Sequence, residues 1–266
     1  MSKHNFHKHI PSFLKLCLNI GKIQLEGQKN LDIDLKSDNS PVTNIDISSS
    51  EMIVNFLSKT FQGDIIISEE SEKKPNKGSS YWLVDPIDGT KNYIKGGEQF
   101  CICISYIHKS YPIFGIIYIP SSKEFYYAST GEGAYIVKED MRKSRIKNDS
   151  QADNNIYVST VIRDSVVNIL NKNFKHSRLV YMSSAIKFVR VAEGRGHFSV
   201  RLGPTHEWDT AAGQCIIEEC GAHFLDKNLE RFAYGLGNKF LNGPFFVVNG
   251  NLEKHKSSIS QCLSLI

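Results

Sequence analysis

Asp85-Pro86-Ile87-Asp88-Gly89-Thr90 sets two carboxylates three residues apart on a turn that Pro86 stiffens and Gly89 loosens. Brought to one point without a cation, such groups repel each other and one tends to stay protonated. A divalent cation removes the conflict, and ligation by oxygen alone suits magnesium or manganese better than zinc. The apolar residues 81–84 ahead of the motif predict a strand, and a helical turn is expected from near Lys91. Gly89 and Thr90 would then stand at a helix N-terminus, where backbone N–H groups receive phosphate. Carboxylates that hold metal beside an anion-binding turn point to phosphate chemistry.

Three further segments carry acids with the same potential. Glu69 and Glu70 follow the apolar run 65–68 directly, as Asp85 follows its own strand, although a solvated acidic loop also explains them. Asp209 follows Trp208 and opens Thr210-Ala211-Ala212-Gly213. A helix cap accounts for an aspartate there, while the small residues after it would let that helix end approach another surface closely. Thr43 and Asp46 have the spacing of a capping box, which by itself is a sufficient reason for both.

The elements that must position these residues follow from periodicity. Apolar residues Phe13, Leu14, Cys17 and Leu18 recur at helical spacing, and a second helix is expected from about Thr43 to Phe61 with Ile53, Val54, Phe56 and Leu57 on its apolar face. Strands are predicted over 65–68, 81–84, 100–107, 113–119, 124–128 and 134–137, joined by short turns that favour antiparallel pairing. A polar segment, 138–155, separates the halves. Beyond it strand and helix signals alternate: strands at 156–158, 178–182 and 197–201, helices around 164–170 and 184–192, and another from near Trp208 to before Gly221. The expected architecture is an α/β layered sandwich of two subdomains. Residues 1–150 are expected to hold the N-terminal helices, the antiparallel sheet and most metal ligands; residues 151–266 are expected to form an α/β unit, in which the resemblance described below implies substrate-binding segments.

Composition bounds the function. With 266 residues, 41% hydrophobic and 23% charged, the chain can bury a large core. Disorder is expected only at the ends and over the polar stretch 71–80. A net charge of +4 with scattered basic residues demands no nucleic-acid partner. No apolar run approaches the ~18 residues of a membrane span. Lys15 and Lys22 interrupt the N-terminal apolar stretch, and no signal-peptide cleavage site follows. All six cysteines lie in apolar segments without zinc-type spacing and read as reduced core residues, Cys101 and Cys103 sharing one strand face. The nine histidines are dispersed. A cytosolic location is expected.

Together, Ser68-Glu69-Glu70-Ser71, Asp85-Pro86-Ile87-Asp88-Gly89-Thr90 and Trp208-Asp209-Thr210-Ala211-Ala212-Gly213 resemble the motifs of the inositol monophosphatase superfamily, in its order and approximate spacing over nearly the whole chain. Within it the likeness is to bacterial 3′(2′),5′-bisphosphate nucleotidases. Lys36-Ser37-Asp38-Asn39-Ser40-Pro41-Val42-Thr43 through Asp46, Ser183-Ser184-Ala185-Ile186-Lys187-Phe188 and Arg201-Leu202-Gly203-Pro204-Thr205 carry that finer resemblance. Two positions depart from it: Met182 stands where the family often has glycine, and Ser159-Thr160-Val161-Ile162-Arg163 lacks the histidine of many nucleotidases.

The resemblance implies an αβαβα sandwich of the sugar-phosphatase type and a lithium-sensitive phosphatase with two or three Mg2+ ions per site. The implied reaction removes the 3′-phosphate of adenosine 3′,5′-bisphosphate. Glu69, Asp85 and the Ile87 carbonyl would hold one ion, and Asp85, Asp88 and Asp209 a second. Asp46, Glu69 and Thr90 would activate water, Gly89 and Thr90 amides would steady the phosphoryl group, and Ser184, Lys187, Arg201 and Asp209 would meet the substrate. Lys36 is a weaker candidate for substrate contact, with the balancing of Asp34 and Asp38 as its alternative role. The alternatives are an inositol monophosphatase or sugar bisphosphatase of the same fold, or a non-catalytic protein that binds a partner.

Overall fold

The computed structural model describes residues 4–71, 80–147, 153–237 and 240–266, so nearly all of the stretch expected to be disordered lies outside the described residues. A short 3-10 turn (Phe6–His9) leads into α1 (Ile10–Gly27), whose buried face is Phe13, Cys17, Ile20, Gly21 and Gln24. Strands β1 (Ile33–Leu35) and β2 (Pro41–Thr43) form an antiparallel hairpin ahead of α2 (Asn44–Thr60). Next come β3 (Ile65–Ser68), β4 (Ser80–Asp88), the one-turn helix α3 (Thr90–Ile94), β5 (Cys101–His108), β6 (Tyr111–Ile119), β7 (Glu124–Ser129), β8 (Gly133–Val137) and β9 (Lys143–Ile146). The remaining elements are β10 (Asn155–Val158), α4 (Asp164–Asn173), β11 (Arg178–Tyr181), α5 (Ile186–Ala192), β12 (Phe198–Arg201), α6 (Glu207–Glu219), β13 (His223–Asp226), β14 (Phe245–Val248) and α7 (Glu253–Leu263).

Strands β3 to β9 make a seven-stranded sheet in chain order, antiparallel except for the parallel pair β3–β4. The second sheet has the order β11-β10-β12-β14-β13, parallel from β11 to β12 and antiparallel beyond. Period-two alternation along β4 divides its side chains between two cores. Trp82 and Val84 join the cluster under α1 and α2, while Tyr81 and Leu83 join the one built with α5 and α6. Residues Tyr157, Phe224, Phe245 and Val247 of the second sheet close that central cluster from the other side. Ile156, Val158, Phe198 and Val200 face outward onto Val166 and Leu170 of α4 and Ile259 of α7. The layering is therefore αβαβα. Among the described residues no helix is long and apolar enough to cross a membrane.

Helix α6 is the central piece of this stack. Ala212 lets it lie against β6, where Gly115 answers it, while Gly213 makes room for Phe188 of α5. A Cβ on Gly115 would fall 2.7 Å from the Ala212 carbonyl oxygen and 2.9 Å from Cys215 Cβ. Overpacking of that kind costs typically 1–3 kcal/mol. Gly115→Ala is expected to lower stability by roughly 2 kcal/mol, read as a lower urea midpoint at unchanged slope.

Several boundaries differ from the periodicity reading. The strand expected over 81–84 continues to Asp88 through a register shift between Asp85 and Asp88. β3 has ended by then, so Pro86 withdraws no donor from that edge. The expected polar separator contains β9, paired with β8. Helix α5 starts at Ile186 and not at Ser184, whose backbone is left-handed (φ 59°).

Candidate metal and phosphate site

The acidic residues sit where secondary structure ends. Glu69 comes directly after β3, and Asp85 and Asp88 lie on the last turn of β4. Asp46 and Asp209 both occupy the third position of their helices and accept from a capping backbone amide, Thr43 N at 2.9 Å and His206 N at 2.8 Å. The capping readings are thus correct for both residues, and neither excludes a second role. In Asp46, Oδ2 takes the cap bonds, including Thr43 Oγ1 at 2.5 Å, while Oδ1 faces the Thr90 hydroxyl at 3.3 Å. That hydroxyl also donates to the Ile87 carbonyl at 3.0 Å.

One carboxylate oxygen from each of Glu69, Asp85 and Asp209 lies within 4.8 Å of the others. Asp88 falls in a second such group with Cys101 and Cys103. Asp85 is 2% exposed. Burial first, then the charges of Glu69, Asp88 and Asp209, holds its carboxyl well above the usual range. Asp209 is raised in the same way, by burial and then by Asp88 and Glu69. Burial pushes Asp88 up to about 6, against the pull of Lys187 and the Ala185 amide. Acids that cannot all ionise where they stand, from three separate segments and with oxygen donors only, fit a hard divalent cation.

The site opens into a cavity of about 800 Å³ bounded by the β1–β2 hairpin, α3, the loop before α5, Arg201 and the start of α6. Gly89 opens α3 with φ 102°, and a Cβ there would lie 2.7 Å from the Gln99 carbonyl oxygen. Glycine is needed for both reasons. The segment Ser183–Ala185 is locked onto the first sheet's loops: Ser183 Oγ donates to Gln99 O at 2.7 Å, and Ala185 N donates to Asp88 Oδ2 at 2.5 Å. Lys187 Nζ donates to Ser184 O at 2.6 Å. Burial lowers the Lys187 pKa, with Asp88 opposing. Arg201 donates to Ser159 Oγ at 2.7 Å, within the segment that lacks the family's histidine.

All the residues singled out in the sequence, Asp46, Glu69, Asp85, Ile87, Asp88, Gly89, Thr90, Ser184, Lys187, Arg201 and Asp209, lie on or beside this cavity. The expectation for Lys36 is corrected. Its Nζ reaches Glu69 at 2.6 Å and Glu70 at 2.7 Å, so it balances the site's acids, not Asp34. Burial works against the Lys36 cation, but the two glutamates outweigh it and raise its pKa. Gln24 is missing from the sequence reading: its amide donates to Pro86 O at 2.8 Å and pins the Asp85–Thr90 turn to α1. A glutamine on the apolar stripe set by Phe13, Cys17 and Ile20 was the available signal.

Residues 13–260 match the model of the inositol monophosphatase family, and the chain belongs to that family. Bacterial nucleotidases are among its relatives. The 3′(2′),5′-bisphosphate nucleotidase CysQ of Haemophilus influenzae is 33% identical over 242 residues, covering 88% of this chain and 89% of the relative. The CysQ of Escherichia coli K12 is 33% identical over 84% and 91% of the two chains. Among solved structures, CysQ of Bacteroides thetaiotaomicron aligns with a TM-score of 0.76 at 28% identity, over 91% of this chain and 99% of that one. The Thermotoga maritima IMPase aligns with a TM-score of 0.80 at 25% identity, over 97% of each chain.

Proposed function

We propose that this protein is a magnesium-dependent 3′(2′),5′-bisphosphate nucleotidase that hydrolyses adenosine 3′,5′-bisphosphate to AMP and phosphate. The observation that carries the reading is the convergence of Glu69, Asp85 and Asp209 within 4.8 Å at the edge of the cavity. Relatives bearing that activity, about a third identical over most of the chain, support the substrate. Glu69, Asp85 and the Ile87 carbonyl would hold one ion, and Asp85, Asp88 and Asp209 another, with two or three engaged in all. Bound there, magnesium supplies offsetting charge, a lower pKa for water and neutralisation of the departing oxygen.

The chain's own residues do the rest. Thr90 Oγ1 receives the proton of the attacking water while Asp46 Oδ1 takes that hydroxyl's own, and Glu69 assists. Water oxygen bonds to phosphorus as the bond to the ribose 3′-oxygen breaks; that oxygen takes its proton from a second water of the cavity, and Asp209 stands on the leaving side. Gly89 and Thr90 N–H groups lie in the first turn of α3, where a helix has no internal acceptor, and steady the phosphoryl oxygens. Ser184, Lys187 and Arg201 meet the nucleotide and its 5′-phosphate. The free thiols suit a reducing compartment, and this reading places the enzyme in the cytosol.

Phosphate release with magnesium from adenosine 3′,5′-bisphosphate, inositol 1-phosphate and a sugar bisphosphate tests the proposal. Preference for the nucleotide is expected, with inhibition by lithium. Equal or faster release from inositol 1-phosphate would overturn the substrate. Within that assay Lys187→Met is expected to raise KM for the nucleotide about 10- to 100-fold, the worth of a charged hydrogen bond, with a smaller change in kcat.

A further inference from the structure

The phosphatase reading leaves two thiols beside the site unused. Cys101 and Cys103 are two residues apart on β5, so period-two alternation puts both side chains on one face. That face is the one toward Asp88: β5 pairs with β4 in the register Asp85↔Cys103 and Asp88↔Cys101. The sulfurs are 3.8 Å apart, and Cys101 Sγ is 3.8 Å from Asp88 Oδ2. The two sulfurs and one carboxylate oxygen of Asp88 lie within 4.8 Å of one another. Four-coordinate zinc with bonds to sulfur of about 2.3 Å has sulfur-to-sulfur edges of roughly 3.8 Å. The two sulfurs and the carboxylate oxygen are therefore already close to three corners of such a site. Asp88 lines the cavity and supplies the way in; its Oδ2 accepts from Ala185 N and from the Cys101 thiol, and loss of that thiol's proton would release the second lone pair to a cation.

We propose that Asp88, Cys101 and Cys103 form an inhibitory site for a thiophilic divalent cation of the zinc and cadmium class. Binding exchanges the two thiol protons for the cation and leaves the fourth position to water from the cavity. The site differs in chemistry from the all-oxygen group of Glu69, Asp85 and Asp209, because paired sulfurs select soft ions over magnesium. Occupied, it draws the Asp88 carboxylate toward β5 and away from the magnesium ligands. The inhibition rests on Asp88 serving magnesium, whereas the binding does not.

The test uses the full chain, reduced, in two measurements. Cadmium chloride is titrated while thiolate-to-cadmium charge-transfer absorption is recorded, and zinc chloride is titrated into the hydrolysis assay at saturating magnesium. The wild-type protein should show the absorption at one equivalent and lose activity over the same range for zinc. Cys103→Ser, which keeps the volume, should hydrolyse normally in magnesium alone, lose the absorption and require about 10- to 100-fold more zinc, at least what even an outer-shell partner of a metal is worth. Cys262→Ala, remote in the α4–α7 core, should behave as wild type. Absorption that survives Cys103→Ser, or equal zinc sensitivity in the two proteins, overturns the proposal. Cadmium absorption in a protein that releases no phosphate in magnesium alone would uphold the site and refute the phosphatase reading instead.

Discussion

Asp85→Asn lowers phosphate release by about 10³-fold, equivalent to about 4 kcal/mol of transition-state stabilisation, while the metal-free protein melts higher than wild type. The first effect follows from the position of Asp85 between the proposed ions, since an amide has no second anionic oxygen to offer. The second follows from burial and from Glu69, Asp88 and Asp209, which all oppose charge at this position when no cation is present. Asparagine keeps the local geometry, because its carbonyl oxygen can still accept from Ile87 N, 3.0 Å from Asp85 Oδ1. Phosphate release and thermal melting in chelator, measured on the same preparation, separate the two effects. A variant that turned over normally would sink the metal assignment. One that was inactive and less stable without metal would show Asp85 to be a structural acid.

The carboxylates were legible in the sequence because their signal is local. An apolar run that ends in an acid fixes a carboxylate at a strand terminus, and the Pro-Ile-Asp-Gly spacing after Asp85 fixes a turn. Asp46 and Asp209 were visible as helix caps, and that visibility left their chemistry undecided: in Asp46 the cap bonds take Oδ2 while Oδ1 faces the Thr90 hydroxyl. Lys36 was misjudged for the opposite reason. Its partners lie 33 and 34 residues away, and a long flexible side chain goes where the tertiary fold puts opposite charge. Strand β9 escaped because its residues are exposed and polar up to Ile146, so its only strand-forming cause is the open edge of β8. Helix α7 is rich in Ser and Lys and helical chiefly because His255, Ser258, Ile259 and Cys262 are covered by the second sheet and α4. β14 is different: the run Phe245-Phe246-Val247-Val248 after Pro244 is a clear apolar strand, present in the sequence and not used.

The stabilisation by magnesium grows as pH rises from about 4 to 7. Asp88 moves from 3.8 in the unfolded chain to about 6, chiefly through burial, and Glu70 from 4.5 to about 7, through burial and then Glu69. A carboxyl raised on folding keeps its proton longer in the native state. The native protein then binds more protons than the unfolded chain, and stability falls with pH across that interval. For Asp88 the loss is on the order of 3 kcal/mol. His197, held near 4 by burial and by His255, acts in the other direction over part of the same range. The measurement is therefore the difference in Tm between magnesium and chelator at each pH, in which the remote histidines cancel. That difference should widen by roughly 5–10 °C across the interval, because a bound cation keeps the acids ionised and removes the penalty that rising pH imposes on the empty cluster. A difference independent of pH would mean that the ion sits away from these carboxylates. A difference that narrowed would rule out these carboxylates as the ligands, because Lys36, which stands between Glu69 and Glu70, keeps its charge throughout the interval and opposes the ion equally at every pH.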